Sequence, residues 1–173
     1  MLRGALAGAV AAGVWAGQQP LDRRAFGVDY DDVEFLGAIV TRERGTPGTV
    51  AIGTVLHLLN GAVFGAVYSR LAPSLPGTPV ARGVAAGLAE HLVTWPLTRF
   101  LHLHPAGGEF SPLWGSRGAF AQATWRHALF GAVLGGVEGL LNPPEGEAAP
   151  AEEDLSRSNG HGNVEHLVTA RSE

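Results

Sequence analysis

Two eleven-residue stretches are near copies of each other: His57-Leu-Leu-Asn-Gly-Ala-Val-Phe-Gly-Ala-Val67 and His127-Ala-Leu-Phe-Gly-Ala-Val-Leu-Gly-Gly-Val137. Seven of the eleven positions are identical, where a chain rich in Gly, Ala, Leu and Val matches at about one or two by chance. Each copy opens on a histidine and continues as an apolar run with glycines four apart. A chain built this way reads as a duplicated helical hairpin with polar side chains set among apolar ones.

Four apolar segments carry that reading, at residues 2–19, 48–69, 79–99 and 118–141. Each is roughly 18–24 residues long, enough at 1.5 Å per residue to cross a hydrocarbon core of about 30 Å. Arg3-Gly4-x-x-Ala7-Gly8 parallels Arg82-Gly83-x-x-Ala86-Gly87, and Trp15 parallels Trp95. The first and third segments therefore match each other, as do the second and fourth. Two spans per copy make the repeats parallel. Arg3 ahead of an apolar run also has a signal-peptide look, but the likeness to the third segment favours a retained helix.

The expected fold is all-α: an integral membrane four-helix bundle from two parallel-duplicated hairpins, over residues 1–142. Residues 143–173 read as a polar, disordered tail with a short helix near 164–170. Between the first two helices, Pro20 to Pro47 reads as a polar loop with a short amphipathic centre near Val33–Val40. Asp29-Tyr-Asp-Asp-x-Glu34 within it lacks calcium-loop spacing and reads as a helix start. Pro73, Pro76 and Pro79 block helix continuation in the next link, and Pro105, Gly107, Gly108 and Pro112 mark irregular backbone in the last.

Small residues recur every fourth position, as at Gly4/Gly8, Gly53/Gly61/Gly65, Gly83/Gly87 and Gly131/Gly135. That spacing keeps them on one stripe, where backbones can approach closely in lipid. His57, His91 and His127 fall on the same stripes and should face the interior. Counting along the helices puts His57, Glu90, His91, Arg126 and His127 at one depth, roughly 12–14 Å below the end carrying the longer loops. Asn60 lies one turn deeper. The first helix offers only Ala and Gly there, and Glu90 with Arg126 is the obvious ion pair.

Two meanings of this layer stand side by side. It is either polar glue between helices or a site that handles protons, a cofactor or a polar ligand. The leading expectation is a non-enzymatic membrane component, an accessory or assembly subunit that self-associates or joins a membrane complex. One alternative is a haem b electron carrier with His57 and His127 as axial ligands. Another is a proton- or ion-conducting oligomer. A soluble helical bundle is the remaining architecture. His102, His104 and Glu109 form a weak metal candidate at the membrane edge. Trp15, Trp95 and Trp114 sit near segment ends, as interfacial anchors do, with Trp125 deeper.

Composition removes several classes. Cysteine is absent, so disulfides, thiolate catalysis, iron–sulfur clusters and cysteine zinc sites are out. All 12 basic residues are Arg, and the net charge of −4 does not suit nucleic acid. Charged residues are only 16%, and the mean hydropathy of +0.13 is diluted by loop and tail. No serine–histidine–aspartate array, phosphate-binding glycine loop or paired-carboxylate motif carries a convincing catalytic context. Arg23, Arg24, Arg42, Arg44, Arg99 and Arg117 gather at the long-loop end, which favours that end in the cytoplasm and both termini outside.

The residues His57-x-x-Asn-Gly-x-x-x-Gly-x-x-Tyr68, Arg82-Gly83, His127-x-x-x-Gly-x-x-x-Gly135 and the stretch Phe26 to Gly37 make the chain similar to a known kind of protein. Over about residues 1–142 it resembles the small bacterial four-helix inner-membrane proteins of the YagU-like kind. The resemblance implies a multi-pass location in the bacterial plasma membrane and no assigned enzymatic reaction. It carries no catalytic residues across.

Overall fold

The computed structural model describes residues 1–104 and 106–143; the expected tail and its short helix fall outside them. Within the unit Met1–Asn142 the described residues form five α-helices and no strand: α1 (Leu2–Phe26), α2 (Asp32–Thr41), α3 (Pro47–Leu71), α4 (Pro79–Thr94) and α5 (Arg117–Leu141). Short 3₁₀ stretches cover Ala72–Ser74, Trp95–Leu103 and Gly107–Glu109.

Local chemistry explains most boundaries. Thr46 and Thr78 cap α3 and α4 by accepting from the Thr49 and Ala81 amides, each followed by a proline in the first turn. Proline suits that place because its missing N–H would be unpaired there anyway. Ser116 caps α5 through the Ala119 amide. Asp31 caps α2 through the Glu34 amide, so the acidic stretch 29–34 does start a helix.

Two boundaries depart from expectation. α1 does not stop at residue 19 but runs through Pro20 to Phe26. Gln19 and Asp22, in this extra length, are held by buried hydrogen bonds to other parts of the chain, which outweigh the one backbone bond that Pro20 cannot make. α4 ends at Thr94 rather than 99, and the chain tightens into 3₁₀ geometry from Trp95. Pro96 lacks the N–H that a continuing α-helix needs.

The helices do not close into the expected four-helix bundle. α1 packs on α3 and on α5, α4 packs on α5, and α2 packs on α3. α3 and α4 make no more than marginal contact. The order in space is thus α2, α3, α1, α5, α4, an open row with α1 and α5 as its centre. Glycines set the close contacts. A Cβ on Gly8 would run into the backbone of Gly61 and Gly65, and one on Gly87 into that of His127. The two glycine-lined pairs are not in the same register. Gly4 meets Gly65 and Ser69, whereas Gly83, its sequence counterpart, meets Gly131 and Gly135.

On α1 and α3 the buried faces are mostly small or polar, and most of the large aliphatic side chains point outward. Buried on α3 are Thr49, Gly53, His57, Gly61, Gly65 and Tyr68, while Val50, Val55, Leu59, Val63, Val67 and Leu71 are exposed. α1 buries Gly4, Ala7, Gly8, Ala11, Ala12, Trp15, Gln19 and Asp22 and exposes Leu2, Leu6, Val10 and Val14. An amphipathic helix of a water-soluble protein does the reverse. At one end, Val28, Tyr30, Ala38, Phe110 and Leu113 join in a separate apolar cluster that ties the two long loops together.

Among the described residues, one helix is long and apolar enough to cross a membrane, at Pro47–Ser74. Only 22% of its apolar window is buried, unlike the core helix of a water-soluble protein. α4 is too short at 16 residues. α1 and α5 are lowered in hydropathy by the polar side chains on their buried faces.

Candidate functional site

Because α3 and α4 stand apart, a cleft opens between them with α1 and α5 as its floor. It holds a cavity of about 580 Å³. All six residues read from the sequence as one polar layer line it: His57 and Asn60 from α3, Glu90 and His91 from α4, Arg126 and His127 from α5. Their partners differ from expectation, and α1 contributes far more than Ala and Gly.

Arg126 does not pair with Glu90. Its Nε and Nη2 donate to the two carboxylate oxygens of Asp22 at 2.6 Å each. Its Nη1 donates to Asp32 Oδ2 at 2.5 Å and its Nη2 to the Tyr30 carbonyl at 3.0 Å. Both Arg126 and Asp22 are buried. The fork of two parallel bonds to one carboxylate is the strongest form of such a pair. Gln122 and Gln18 add donors to Asp22. Gln19 bonds both the Asp31 side chain and the Asp32 amide. The network thus binds α1 and α5 to the start of α2.

Trp15 is not an interfacial anchor. It is buried, donates its indole N–H to Asp32 Oδ2 at 3.0 Å and touches the rings of His57, His127 and Phe130 edge-on. The signals for Trp15, Gln19 and Asp22 were present in the sequence, four and three residues apart on one helical face. Pro20 hid Asp22 by marking a loop, whereas Trp15 and Gln19 lie within the segment 2–19 and only their distant partners were hidden.

The histidines have distinct tasks. His57 Nε2 lies 3.2 Å from the Ala12 carbonyl, which can only accept, so Nε2 carries the proton. His91 Nε2 lies 3.1 Å from Thr124 Oγ1, whose own proton goes to the Phe120 carbonyl. His127 Nδ1 lies 2.7 Å from the Ala123 carbonyl and Nε2 lies 2.7 Å from Glu90 Oε2. The first contact fixes a proton on Nδ1. Glu90 thus has His127 as its partner in place of Arg126. The His91 ring stacks beside that of His127 at 4.8 Å.

Bis-histidine haem does not suit this arrangement. Both nitrogens of His127 are engaged, and the Trp15 indole contacts both imidazoles that would need to reach one iron. Asn60 is exposed while lining the cavity. Of the weak metal candidates, His102 Nδ1 donates to the Arg99 carbonyl and His104 Nδ1 accepts from the Ala106 amide. Among the described residues no three His, Cys, Asp or Glu side chains cluster as metal ligands do.

Outside the helical spans three groups are shifted, Tyr30, Asp29 and Arg44. Burial, with the Asp32 charge adding, pushes the Tyr30 phenol well above its ordinary value, so it is a neutral hydroxyl on the cleft wall. Partial burial works against ionisation of Asp29, but hydrogen bonds and charge from Arg23 and Arg44 prevail and hold its carboxyl below the ordinary value. Arg44 also pairs with Glu34 at 2.8 Å, tying α2 to the loop that follows it.

No family model, no curated protein and no solved structure matches this chain. The class defined by fold and site is an all-helical protein with a polar-floored lateral cleft.

Proposed function

We propose that this is a non-enzymatic, multi-pass protein of the bacterial inner membrane whose cleft between α3 and α4 holds an amphipathic ligand. It would serve as an accessory or assembly component, and the YagU-like resemblance belongs to this proposal. The observation that carries it is the inversion of side chains on α1 and α3, small and polar inward, large and aliphatic outward. In lipid that outer surface costs nothing, whereas in water it would be a large exposed apolar patch. α3, at 25 residues, spans about 37 Å, more than the roughly 30 Å of hydrocarbon. The cavity volume lies in the range of small-molecule sites, about 300–1,000 Å³.

Since the chain has no cysteine, single cysteines report topology cleanly. Val63→Cys, outward on α3, should be protected from a membrane-impermeant maleimide, and Arg24→Cys, at the loop end, should label. Release of the protein from membranes by alkaline wash without detergent would overturn the reading.

A second reading, a proton-conducting oligomer, is favoured by the contact of Glu90 with His127 beside the His91 ring. A pH-driven flux in protein-loaded vesicles, abolished in Glu90→Gln, would select it.

A further inference from the structure

The cleft has an uneven supply of charge. The one guanidinium on its lining, Arg126, is fully used by Asp22, Asp32 and the Tyr30 carbonyl. It faces two carboxylates with a single positive charge. Among the described residues Glu90 meets His127 and no arginine. His57 spends its Nε2 proton on the Ala12 carbonyl and makes no hydrogen bond to Asp32. Asp22 is closed in by Arg126, Gln18 and Gln122, so the surplus negative charge sits on Asp32.

Two carboxylate oxygens on the lining have no hydrogen-bond partner among the described residues. They are Oδ1 of Asp32, whose Oδ2 takes both Trp15 and Arg126, and Oε1 of Glu90, whose Oε2 takes His127. The donors left over carry no fixed charge: the Tyr30 hydroxyl, the Asn60 amide, the Trp95 indole and the Nε2–H of His104. A phosphate or carboxylate headgroup would find no unmatched cation here. An ammonium would find acceptors on both sides and aromatic walls in Trp15, Tyr30, Phe35, Trp95 and Phe130. Aromatic faces attract cations, most strongly where water is excluded, and a carboxylate with a free oxygen is the natural acceptor of an N–H.

We infer that the cleft selects an amphiphile with a primary ammonium headgroup, seated against Asp32 or Glu90, its chain lying along the apolar wall between α3 and α4. This rests on the reading of the cleft as a ligand site. Two sources supply such a group, a single-chain alkylamine and an aminophospholipid. The second also carries a phosphate, for which the lining has no charged partner, so the first should bind more tightly.

The test is binding to the full chain, purified in a nonionic detergent, followed by native mass spectrometry. The probes are dodecylamine, dodecanol, dodecyl sulfate and a short-chain phosphatidylethanolamine. Dodecylamine should bind saturably and one-to-one, at least tenfold more tightly than dodecyl sulfate or dodecanol. Glu90→Gln or Asp32→Asn should weaken it about tenfold, with helix content unchanged by circular dichroism. Glu90→Gln is the safer variant, since Asp32 also braces Arg126. Equal binding of sulfate and amine, or no loss in either folded variant, would overturn the selectivity while leaving a ligand cleft. Tightest binding by phosphatidylethanolamine would move the source to the bilayer and support the ammonium site. Binding of none of the four would sink the ligand cleft together with its selectivity.

Discussion

Arg126 and Asp22, 104 positions apart in the chain, meet through two parallel hydrogen bonds of 2.6 Å in the buried centre between α1 and α5. Asp32 reaches the same guanidinium from the start of α2, and Trp15 steadies Asp32. This cluster decides how α1, α5 and the loop-end cap are joined, and it makes the floor of the cleft.

Removing one side of the pair should be far worse than removing both. Asp22→Asn leaves a buried guanidinium short of its main partner and is expected to cost about 3–5 kcal/mol. Asp22→Leu with Arg126→Leu should cost distinctly less than the sum of the single changes. Thermal unfolding in detergent of the two singles and the double completes the cycle; additive losses would mean that the pair is not coupled.

The glycines of α1 are not equivalent. A Cβ at Gly8 runs into the Gly61 backbone, whereas one at Gly17 meets nothing within 4 Å. Gly8→Ala should therefore push α1 from α3 and lower stability by about 1–3 kcal/mol. Gly17→Ala should be neutral or raise it by up to about 1 kcal/mol, through helix propensity. Comparable melting temperatures for the two variants would contradict the close approach of α1 and α3.

Trp15→Phe keeps an aromatic ring beside His57 and His127 but removes the N–H that reaches Asp32. Loss of a hydrogen bond to a charged acceptor should cost about 1.5–3 kcal/mol. The Trp15→Phe loss should shrink in an Asp32→Asn background; an undiminished loss would assign Trp15 to packing alone.

Tyr30 should titrate late. Its phenol is raised above the ordinary value of 10.0, so the folded state favours the protonated form. The stability this contributes is present in full below pH 10 and is lost as pH rises through the higher folded value. In a Tyr68→Phe background it is the only phenol, because the chain has two tyrosines. Phenolate absorbance should then appear well above pH 10 and together with unfolding. An ordinary titration with the fold intact would place the ring in water.

Asp29 gives the opposite slope. Its carboxyl is held below its ordinary value of 3.8, so its contribution is present above that pH and fades as pH falls through the lower folded value. With its side chain 59% exposed, screening keeps the effect small, and Asp29→Asn should cost no more than about 1 kcal/mol. The variant should also flatten the acid limb of the stability curve, which acid titration of both proteins would reveal.

Much of this molecule is legible in local pattern. Threonine or serine before each of α3, α4 and α5 marks a start, and glycines four apart mark the faces that touch. His57, Asn60, Glu90, His91, Arg126 and His127 could be grouped by counting residues along helices, and all line the one cavity. These features depend on a residue and its neighbours within a turn or two. The length of α1 was hidden because Pro20 is a helix breaker by its own chemistry, and only the contacts of Gln19 and Asp22 explain why the helix continues.

The sequence by itself determined an all-helical chain, where its small-residue stripes lie, and that its histidines sit on those stripes. Only the tertiary structure decided which helices are neighbours. The near-identical motifs on α3 and α5 look alike along the chain, yet α3 packs on α1 and α2 while α5 packs on α1 and α4. From that order follow the partner of Arg126, the Glu90–His127 pair and the cleft. The physical reason is that periodicity is a property of one helix, whereas an ion pair across 104 residues depends on how helices are arranged in space.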